Sequence, residues 1–157
     1  MDVMKTSKDG FDFILKHSTF RPEPYAGKEN RYYIGYGSGW DESGSKITPK
    51  SPAIDREQAE YLLHLSIDRI EYFVNKYVTV PLLQHQYDAL VSFAFSVERM
   101  GFINSAVLRL VNEQAYHLEI VFAWLKWNTI DERFNKHMAM RRHAEVDMFF
   151  KHLDDEQ

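Results

Sequence analysis

STFRPEPYAGKENRYYIGYGSGW, residues 18–40, is the segment on which the fold prediction rests. Its centre, Tyr32–Gly37, predicts a strand with tight turns, because Tyr and Ile favour a pleated surface and glycine tolerates positive φ angles. Pro22 and Pro24 end any helix that precedes it. The segment therefore predicts a β-hairpin that packs against helices, within a small β lobe at about residues 20–54.

The flanking sequence predicts helices on both sides of this lobe. Ser7 can cap a helix at about residues 8–19, and Asp55 with Gln58 has the spacing of a capping box. The helix that follows this box, at about residues 55–77, would span roughly 30 Å at ~1.5 Å per residue. A helix of this length in a small protein is typical of a connection between two lobes.

The rest of the chain, at about residues 81–153, predicts a larger helical lobe that also takes in the first helix. Ala89–Val97 is apolar almost all round, which indicates the central core helix of that lobe. Asn104 or Ser105 is expected to cap a short helix.

Two further helices are expected, at about Ala115–Trp127 and Asn135–His152. The apolar side chains predicted to face inward are Leu118, Val121, Phe122, Leu125, Met140, Ala144, Met148 and Phe149. Residues 154–157 are expected to form a polar tail.

The composition indicates one folded domain, 1–157. Hydrophobic residues are 45% and aromatic residues 15% of the 157, which argues against disorder. The net charge of −4 offers no basic footprint, so nucleic acid is not an expected partner. Cysteine is absent, which leaves no disulfide framework and fits a reducing compartment. With no signal peptide and no run of ~18 apolar residues, we expect no membrane insertion and a cytoplasmic location in the producing bacterium.

Several other chemistries lack their signatures. His137, His143 and His152 do not have the i, i+4 spacing of a metal site, and no HExxH motif or cysteine pair accompanies them. The glycine-rich Tyr36–Gly39 precedes no helix that carries a lysine, as a phosphate loop would. We therefore expect neither a metal nor a cofactor.

The aromatic residues of the hairpin segment leave two roles open. Ring faces suit sugar rings or a protein partner, whereas rings that pack on each other form a small core under the hairpin. The residues are Tyr25, Tyr32, Tyr33, Tyr36 and Trp40.

Four motifs occur together and in a specific order. Tyr25 precedes Ile34–Gly37, which reads IGYG; Gln86–Phe93 reads QYDALVSF; Gly101–Ser105 reads GFINS; and a pair of arginines precedes Glu145. This pattern, over roughly residues 8–150, resembles the phage-type lysozymes, glycoside hydrolase family 24. The resemblance implies an α+β, mostly α, two-lobed phage-lysozyme fold with a small N-terminal β lobe, a long connecting helix and a larger helical lobe.

The positions that carry the chemistry in that family are changed here. In a register without gaps, the family's general-acid Glu falls on Ser18, an Asp falls on Gly27 and a Thr falls on Tyr33. Glycoside hydrolysis normally needs one acid for the leaving oxygen and a second carboxylate. The resemblance therefore implies a catalytically inactive homologue, a pseudoenzyme, that acts by binding. Its partner would be a peptidoglycan fragment or a protein, in a regulatory, inhibitory or phage structural role.

The same register assigns the remaining site candidates. An arginine of the last helix pairs with the catalytic Glu in the family, so here it needs another acid, solvent or an anion. Tyr33, if it points inward, would fill the space left by Ser18 and Gly27. The cleft or ligand candidates are Tyr33, Tyr36, Gly37, Phe95, Ser105, Arg141 and Arg142.

One alternative retains catalysis. Glu23 or Glu29 would serve as displaced carboxylates in an active or weakly active endolysin that cleaves the MurNAc-GlcNAc β-1,4 bond of peptidoglycan. Asp41 and Glu42 are less suited, because they belong to a turn rather than to a helix end facing the cleft. Under either interpretation the resemblance implies a phage or prophage origin.

Overall fold

The structure is a computed structural model that describes residues 3–155, with the side chains of 154 and 155 excepted. Part of the predicted tail, residues 156 and 157, lies outside the described residues. The chain divides into two compact units. We call them the hairpin unit, residues 11–69, and the helical unit, residues 3–10 together with 70–155. Their mostly helical content with a small two-stranded sheet confirms the predicted fold class.

The hairpin unit contains the predicted β-hairpin. Strand β1 (Arg21–Ala26) pairs antiparallel with β2 (Tyr32–Gly35), and Tyr25 lies opposite Tyr33. The strands join through a 3₁₀ turn at Lys28–Asn30. The core beneath the hairpin consists of three buried residues, Ile34, Ile47 and Leu62. Tyr32, Ile54 and Leu65 are partly buried and pack against them.

Helix α1 spans Lys8–Lys16 and is shorter than predicted. At its start, the Ser7 hydroxyl accepts the Gly10 N–H at 3.0 Å, which confirms the predicted cap. At its end, the Ser18 N–H bonds to the Leu15 carbonyl, an i to i−3 contact that tightens and closes the last turn.

Helix α2 spans Arg56–Tyr77 and begins at the predicted capping box. The Asp55 N–H donates to Gln58 Oε1 at 3.1 Å, and the Gln58 N–H donates to Asp55 Oδ1 at 2.8 Å. Residues of α2 up to Arg69 belong to the hairpin unit, and those that follow belong to the helical unit.

The helical unit is built around the predicted apolar helix, α3, in which Tyr87–Ala94 is buried on every side. The Ser105 hydroxyl accepts the Leu108 N–H at 3.0 Å and caps the next helix, as predicted. A short antiparallel hairpin, β3 with β4, was not predicted. The elements are α3 (Gln84–Ile103), α4 (Ala106–Asn112), α5 (His117–Leu125), β3 (Thr129–Ile130), β4 (Arg133–Phe134), α6 (Lys136–Phe149) and α7 (Lys151–Asp155).

The predicted inward face of α5 is partly wrong, since Val121 and Leu125 are half-buried but the other two residues are not. Leu118 is 41% exposed and Phe122 is 63% exposed, whereas Ile120 and Trp124 are buried. The four residues alternate on the helix as two i, i+4 pairs, and the pair that contains Trp124 is the one that packs. Trp124 can be buried because its indole N–H finds an acceptor.

The predicted inward face of α6 is also partly wrong. Met140 is 60% exposed, while Phe149 is buried as expected. The remaining buried face carries Arg141, Arg142 and Glu145. A rule that places apolar residues inward misses this face, because its charges are buried together and neutralise each other in part.

Candidate functional site

Ser18, on which the register without gaps predicts the family's general acid to fall, uses its hydroxyl to close α1. The hydroxyl donates to the Ile14 carbonyl at 2.7 Å, and the side chain is half-buried. This bond satisfies one of the carbonyls that a helix end leaves without a partner. An aliphatic hydroxyl does not give up a proton near neutral pH, so Ser18 has a structural role and no acid chemistry.

Gly27 and Tyr33, the other two positions that the register predicts to be changed, lie against each other. A Cβ built on Gly27 would be 2.1 Å from Tyr33 Cε2, well inside any van der Waals contact. The Tyr33 ring also lies 5.9 Å from the Tyr25 ring across the strand pair, and the Arg31 guanidinium lies 5.6 Å from its centre. The tyrosine ring therefore occupies the volume that a side chain at position 27 would need.

Tyr36 and Gly37 form the tight turn after β2. Gly37 has a φ of 98°, which favours glycine, and Ile34 exchanges backbone hydrogen bonds with Ser38 across the turn. Tyr36 is 8% exposed, and its ring packs 5.6 Å from that of Phe20. Tyr36 therefore belongs to the packed interior of the hairpin unit, which limits the surface that it offers to a ligand.

The acidic residues of the hairpin lie on its surface. Glu23 and Glu29 are both exposed, and Glu29 has a φ of 56° within the 3₁₀ turn. Asp41 accepts hydrogen bonds from the Ser43 hydroxyl and from the Ser43 and Ser45 N–H groups. These bonds, with the Ser43 hydroxyl first, lower the pKa of Asp41. A general acid needs a raised pKa, so the shift at Asp41 has the wrong sign for that role.

Arg141 and Arg142 lie on the buried face of α6, and the acid that they have found is Glu145. Arg142 Nη1 donates to Glu145 Oε1, and Arg141 Nε donates to Glu145 Oε2 at 3.3 Å. The Ser92 hydroxyl and the Trp124 indole N–H donate to the same carboxylate. All five residues are at most 6% exposed. Glu145 thus accepts four hydrogen bonds in a buried network that carries two cations and one anion.

The remaining donors of Arg142 are used inside the protein. Its Nε donates to the Trp127 carbonyl at 2.9 Å and its Nη2 donates to the Ser96 hydroxyl. For Arg141, burial is the main influence and lowers the pKa, and Arg142 acts in the same direction while Glu145 opposes them. The two guanidinium groups are structural partners of Glu145, and the expectation that either binds a ligand is not supported by these contacts.

Phe95 and Ser105 also lie in the helical unit. Phe95 is half-buried on α3, and Ser105 is 5% exposed. The Ser105 hydroxyl donates to the Phe102 carbonyl at 2.8 Å while it caps α4. Of the two, only Phe95 keeps part of its side chain accessible.

The sequence did not identify Glu145, Ser92 or Trp124 as site residues, although the buried network of the two arginines depends on them. The available signal was the spacing of the arginines to Glu145, i+3 and i+4, which places all three on one helix face. No sequence pattern indicates that Ser92 and Trp124 reach the same carboxylate.

Among the described side chains, no three His, Cys, Asp or Glu residues converge as a metal site requires. Within residues 3–155, no helix combines the length and the apolar content needed to cross a bilayer.

Comparison with known proteins identifies the family. Residues 16–145 match the sequence model of the phage lysozymes. The chain belongs to the phage lysozyme family. The matched range contains Ser18, Gly27 and Tyr33, so all three positions that are predicted to be changed fall inside the family's homologous region.

Curated relatives of this phage lysozyme family member are phage endolysins. The chain is 30% identical over 148 residues to the endolysin of Bacillus phage PZA, which covers 93% of this chain and 55% of that protein. It is 29% identical over 125 residues to the endolysin of Salmonella phage P22, covering 80% and 84% respectively. The chain spans about half the length of the Bacillus phage endolysins that it matches.

Solved structures confirm the phage-lysozyme fold. The muramidase domain of SpmX from Asticaccaulis excentricus superposes with a TM-score of 0.76 at 30% identity, covering 92% of this chain and 97% of that domain. The endolysin of Escherichia coli O157:H7 phage FAHEc1 superposes with a TM-score of 0.79 at 25% identity, covering 96% of each chain. The fold predicted from the hairpin motif is thus confirmed.

Proposed function

We propose that this member of the phage lysozyme family is a pseudoenzyme, which acts by binding rather than by hydrolysis. Its partner is a peptidoglycan glycan or a protein. A phage or prophage origin, in keeping with the endolysin relatives, is part of the proposal.

The observation that carries the proposal is the contact between Tyr33 and Gly27. A carboxylate at position 27 would begin with a Cβ 2.1 Å from the tyrosine ring. The two substitutions are therefore coupled: Tyr33 fills the volume that the absence of a side chain at position 27 leaves. This complementarity supports a site that has been rebuilt for packing, not one that has merely lost a single residue.

The state of Ser18 supports the same conclusion. Its hydroxyl is committed to the Ile14 carbonyl, and it has no acidic proton to give to a glycosidic oxygen. General acid–base groups typically contribute about 10²–10⁴-fold each to an enzyme's rate. With the acid and the Asp both replaced, no useful turnover is expected.

The arginine network of α6 completes the argument. In the family as described above, an arginine of this helix is paired with the catalytic acid. Here Glu145, three and four residues along the same helix, accepts from both arginines. A buried cation without a partner would be strongly destabilising, and the Glu145 carboxylate offsets that cost in part. The two arginines therefore have an anionic partner within the helical unit itself.

Clearing of purified peptidoglycan tests the enzymatic half of the proposal. In zymograms and turbidity assays, we expect the wild-type chain to produce no clearing beyond the buffer control. A Glu23→Gln/Glu29→Gln variant serves as the matched control. Clearing by the wild type that this variant loses would establish the displaced-carboxylate enzyme instead, and clearing at an ordinary lysozyme rate would refute the pseudoenzyme.

Titration with soluble peptidoglycan fragments tests the binding half. If glycan binds at the family's positions, the NMR signals of Tyr36, Phe95 and Ser105 should shift in a saturable way. If those signals do not move, the binding function passes to a protein partner. In that case, a defined partner must be shown to form a complex of fixed stoichiometry with the purified chain.

A further inference from the structure

We propose that helix α5 of the helical unit carries a docking face for a second copy of this chain, and that two copies associate through antiparallel α5 helices. The face, called here the outer face of α5, consists of Leu118, Glu119, Phe122 and Lys126. None of these four residues is at a position that the family register assigns to catalysis or to the cleft. The inference therefore stands independently of whether the chain hydrolyses or binds peptidoglycan.

Helix α5 has the composition of a buried helix but is buried on one side only. Its sequence is HLEIVFAWL, in which every residue except the first and the third is apolar. A helix that is apolar all round is normally covered all round, because a surface helix carries polar residues outward. Here Ile120 and Trp124 are buried, whereas Phe122 is 63% exposed and Leu118 is 41% exposed. Because Leu118 and Phe122 are i, i+4 neighbours, they form one apolar strip on the outward side.

Two charged residues border this strip along the same flank. Glu119 lies in the first turn of α5, and Lys126 continues the helical backbone at its end, with a φ of −67° and a ψ of −17°. Seven residues are close to two turns, so the two side chains share a flank but lie roughly 10 Å apart along the axis. Both are exposed, and within residues 3–155 neither forms an ion pair. Each can therefore meet a charge from outside the chain.

The order of these charges favours a second copy as the occupant. When two α5 helices pack antiparallel about a two-fold axis near Phe122, Glu119 of each copy lies beside Lys126 of the other. A two-fold interface is self-complementary, so this contact forms twice. In a parallel pair, by contrast, like charges lie at the same level. Opposite charges that flank an apolar seam are a known means of setting partner and orientation between helices.

The size of the face limits the strength of the dimer. A helix of nine residues is about 13–14 Å long, so a pair of such helices buries less than the ~800 Å² per partner of a standard interface. Exposed ion pairs contribute little energy, and Phe122 is the aromatic anchor at the centre. We therefore expect a reversible dimer with a Kd on the order of 0.1 mM.

Sedimentation velocity of the full chain from about 10 µM to about 1 mM spans this Kd. The average mass of the wild type should rise from 18.6 kDa toward twice that value. Phe122→Glu should remain a monomer, because it removes the anchor and brings two carboxylates together at the axis. Tyr72→Glu is the matched control, since Tyr72 is an aromatic residue of α2 with 61% exposure, and it should associate as the wild type does. Circular dichroism and thermal unfolding show that each variant is folded.

Charge-reversal variants test the antiparallel arrangement at low ionic strength. Glu119→Lys places two cations at each contact and Lys126→Glu places two anions there, so each variant alone should associate about tenfold more weakly than the wild type. In an equimolar mixture of the two, every contact again joins opposite charges. The mixture should therefore form a heterodimer with about the affinity of the wild type. Glu113→Lys, which reverses an exposed charge outside α5, should leave the association unchanged.

The proposal is overturned if the wild type remains a monomer at about 1 mM, or if folded Phe122→Glu associates as the wild type does. It is also overturned if the mixture of the two charge-reversed variants associates no better than either variant alone, which would exclude the antiparallel pair. Another occupant has a distinct outcome. If a monomeric wild type sediments with insoluble peptidoglycan and folded Phe122→Glu does not, the outer face of α5 binds glycan and not a second copy.

Discussion

The contact between Gly27 and Tyr33 makes a quantitative prediction about the stability of Gly27→Ala. The new Cβ would lie 2.1 Å from Tyr33 Cε2, so the ring must move by about 1.3 Å to reach the 3.4 Å limit of ordinary contact. The ring is restrained by its cross-strand contact with Tyr25 and by Arg31. Overpacking of this kind typically costs about 1–3 kcal/mol, and we expect a loss of that size in the free energy of unfolding.

Gly39→Ala is the matched control, because it adds a Cβ at the other edge of the same ring. That Cβ would lie 3.6 Å from Tyr33 Cε1, an ordinary contact, and Gly39 does not have a positive φ. Its expected effect is therefore neutral or a gain of ~0.4–1 kcal/mol, since alanine restricts the unfolded chain.

Urea unfolding of the wild type, both single variants and the Tyr33→Thr background measures these energies. In Tyr33→Thr, the penalty of Gly27→Ala should largely disappear, with a coupling energy of roughly 1–2 kcal/mol. The reasoning is refuted if Gly27→Ala is as stable as Gly39→Ala, or if its penalty is the same with and without the Tyr33 ring.

Three further predictions concern the charges and caps. Glu145→Gln leaves two buried guanidinium groups without an anion and should cost about 3–5 kcal/mol, whereas the exposed Glu113→Gln control should cost less than ~1 kcal/mol in the same urea assay. The pKa of Asp41 is lowered in the folded state, so the stability it contributes is present above the unfolded-state pKa and is lost as pH falls through the folded-state value. Asp41→Asn should therefore flatten the acid limb of a stability–pH curve below about pH 4, and an unchanged limb would contradict this. Asp55→Ala should lower the free energy of unfolding by ~1 kcal/mol through the loss of the α2 cap, and Glu57→Ala, which does not cap, serves as its control.

Features decided by local chemistry were predictable from the sequence. The hairpin is predicted by Tyr32–Gly37 and by the prolines that precede it. The start of α2 is predicted by Asp55 and Gln58, because each side chain bonds to the backbone N–H of the other, three residues away. The cap of α4 at Ser105 has the same origin.

Features decided by tertiary contacts were not predictable in this way. Leu118 and Ile120 are both apolar, and the helix face that is buried is the one that carries Ile120 and Trp124. The buried charges of α6 contradict the apolar-inward rule, because their cost is offset by a serine and a tryptophan from other helices.

The candidate site was likewise predictable only in part from the sequence. The replacement of the family's catalytic residues by Ser18, Gly27 and Tyr33 is a prediction from the sequence that rests on a register without gaps. The way in which Gly27 and Tyr33 accommodate each other could not be predicted from the sequence, because the direction of the Tyr33 ring depends on the register of β1 with β2. The structure supplies the contact between Gly27 and Tyr33, which supports the proposal of a repacked site.

Release of reducing sugar ends from purified peptidoglycan is the most direct test of the central claim. The wild type should be compared with Ser18→Glu/Gly27→Asp/Tyr33→Thr, which introduces the two carboxylates that the family register predicts and removes the ring that excludes one of them. We predict no release above background for the wild type and measurable release for the folded triple variant. Release by the wild type at the rate of an ordinary lysozyme would contradict the account.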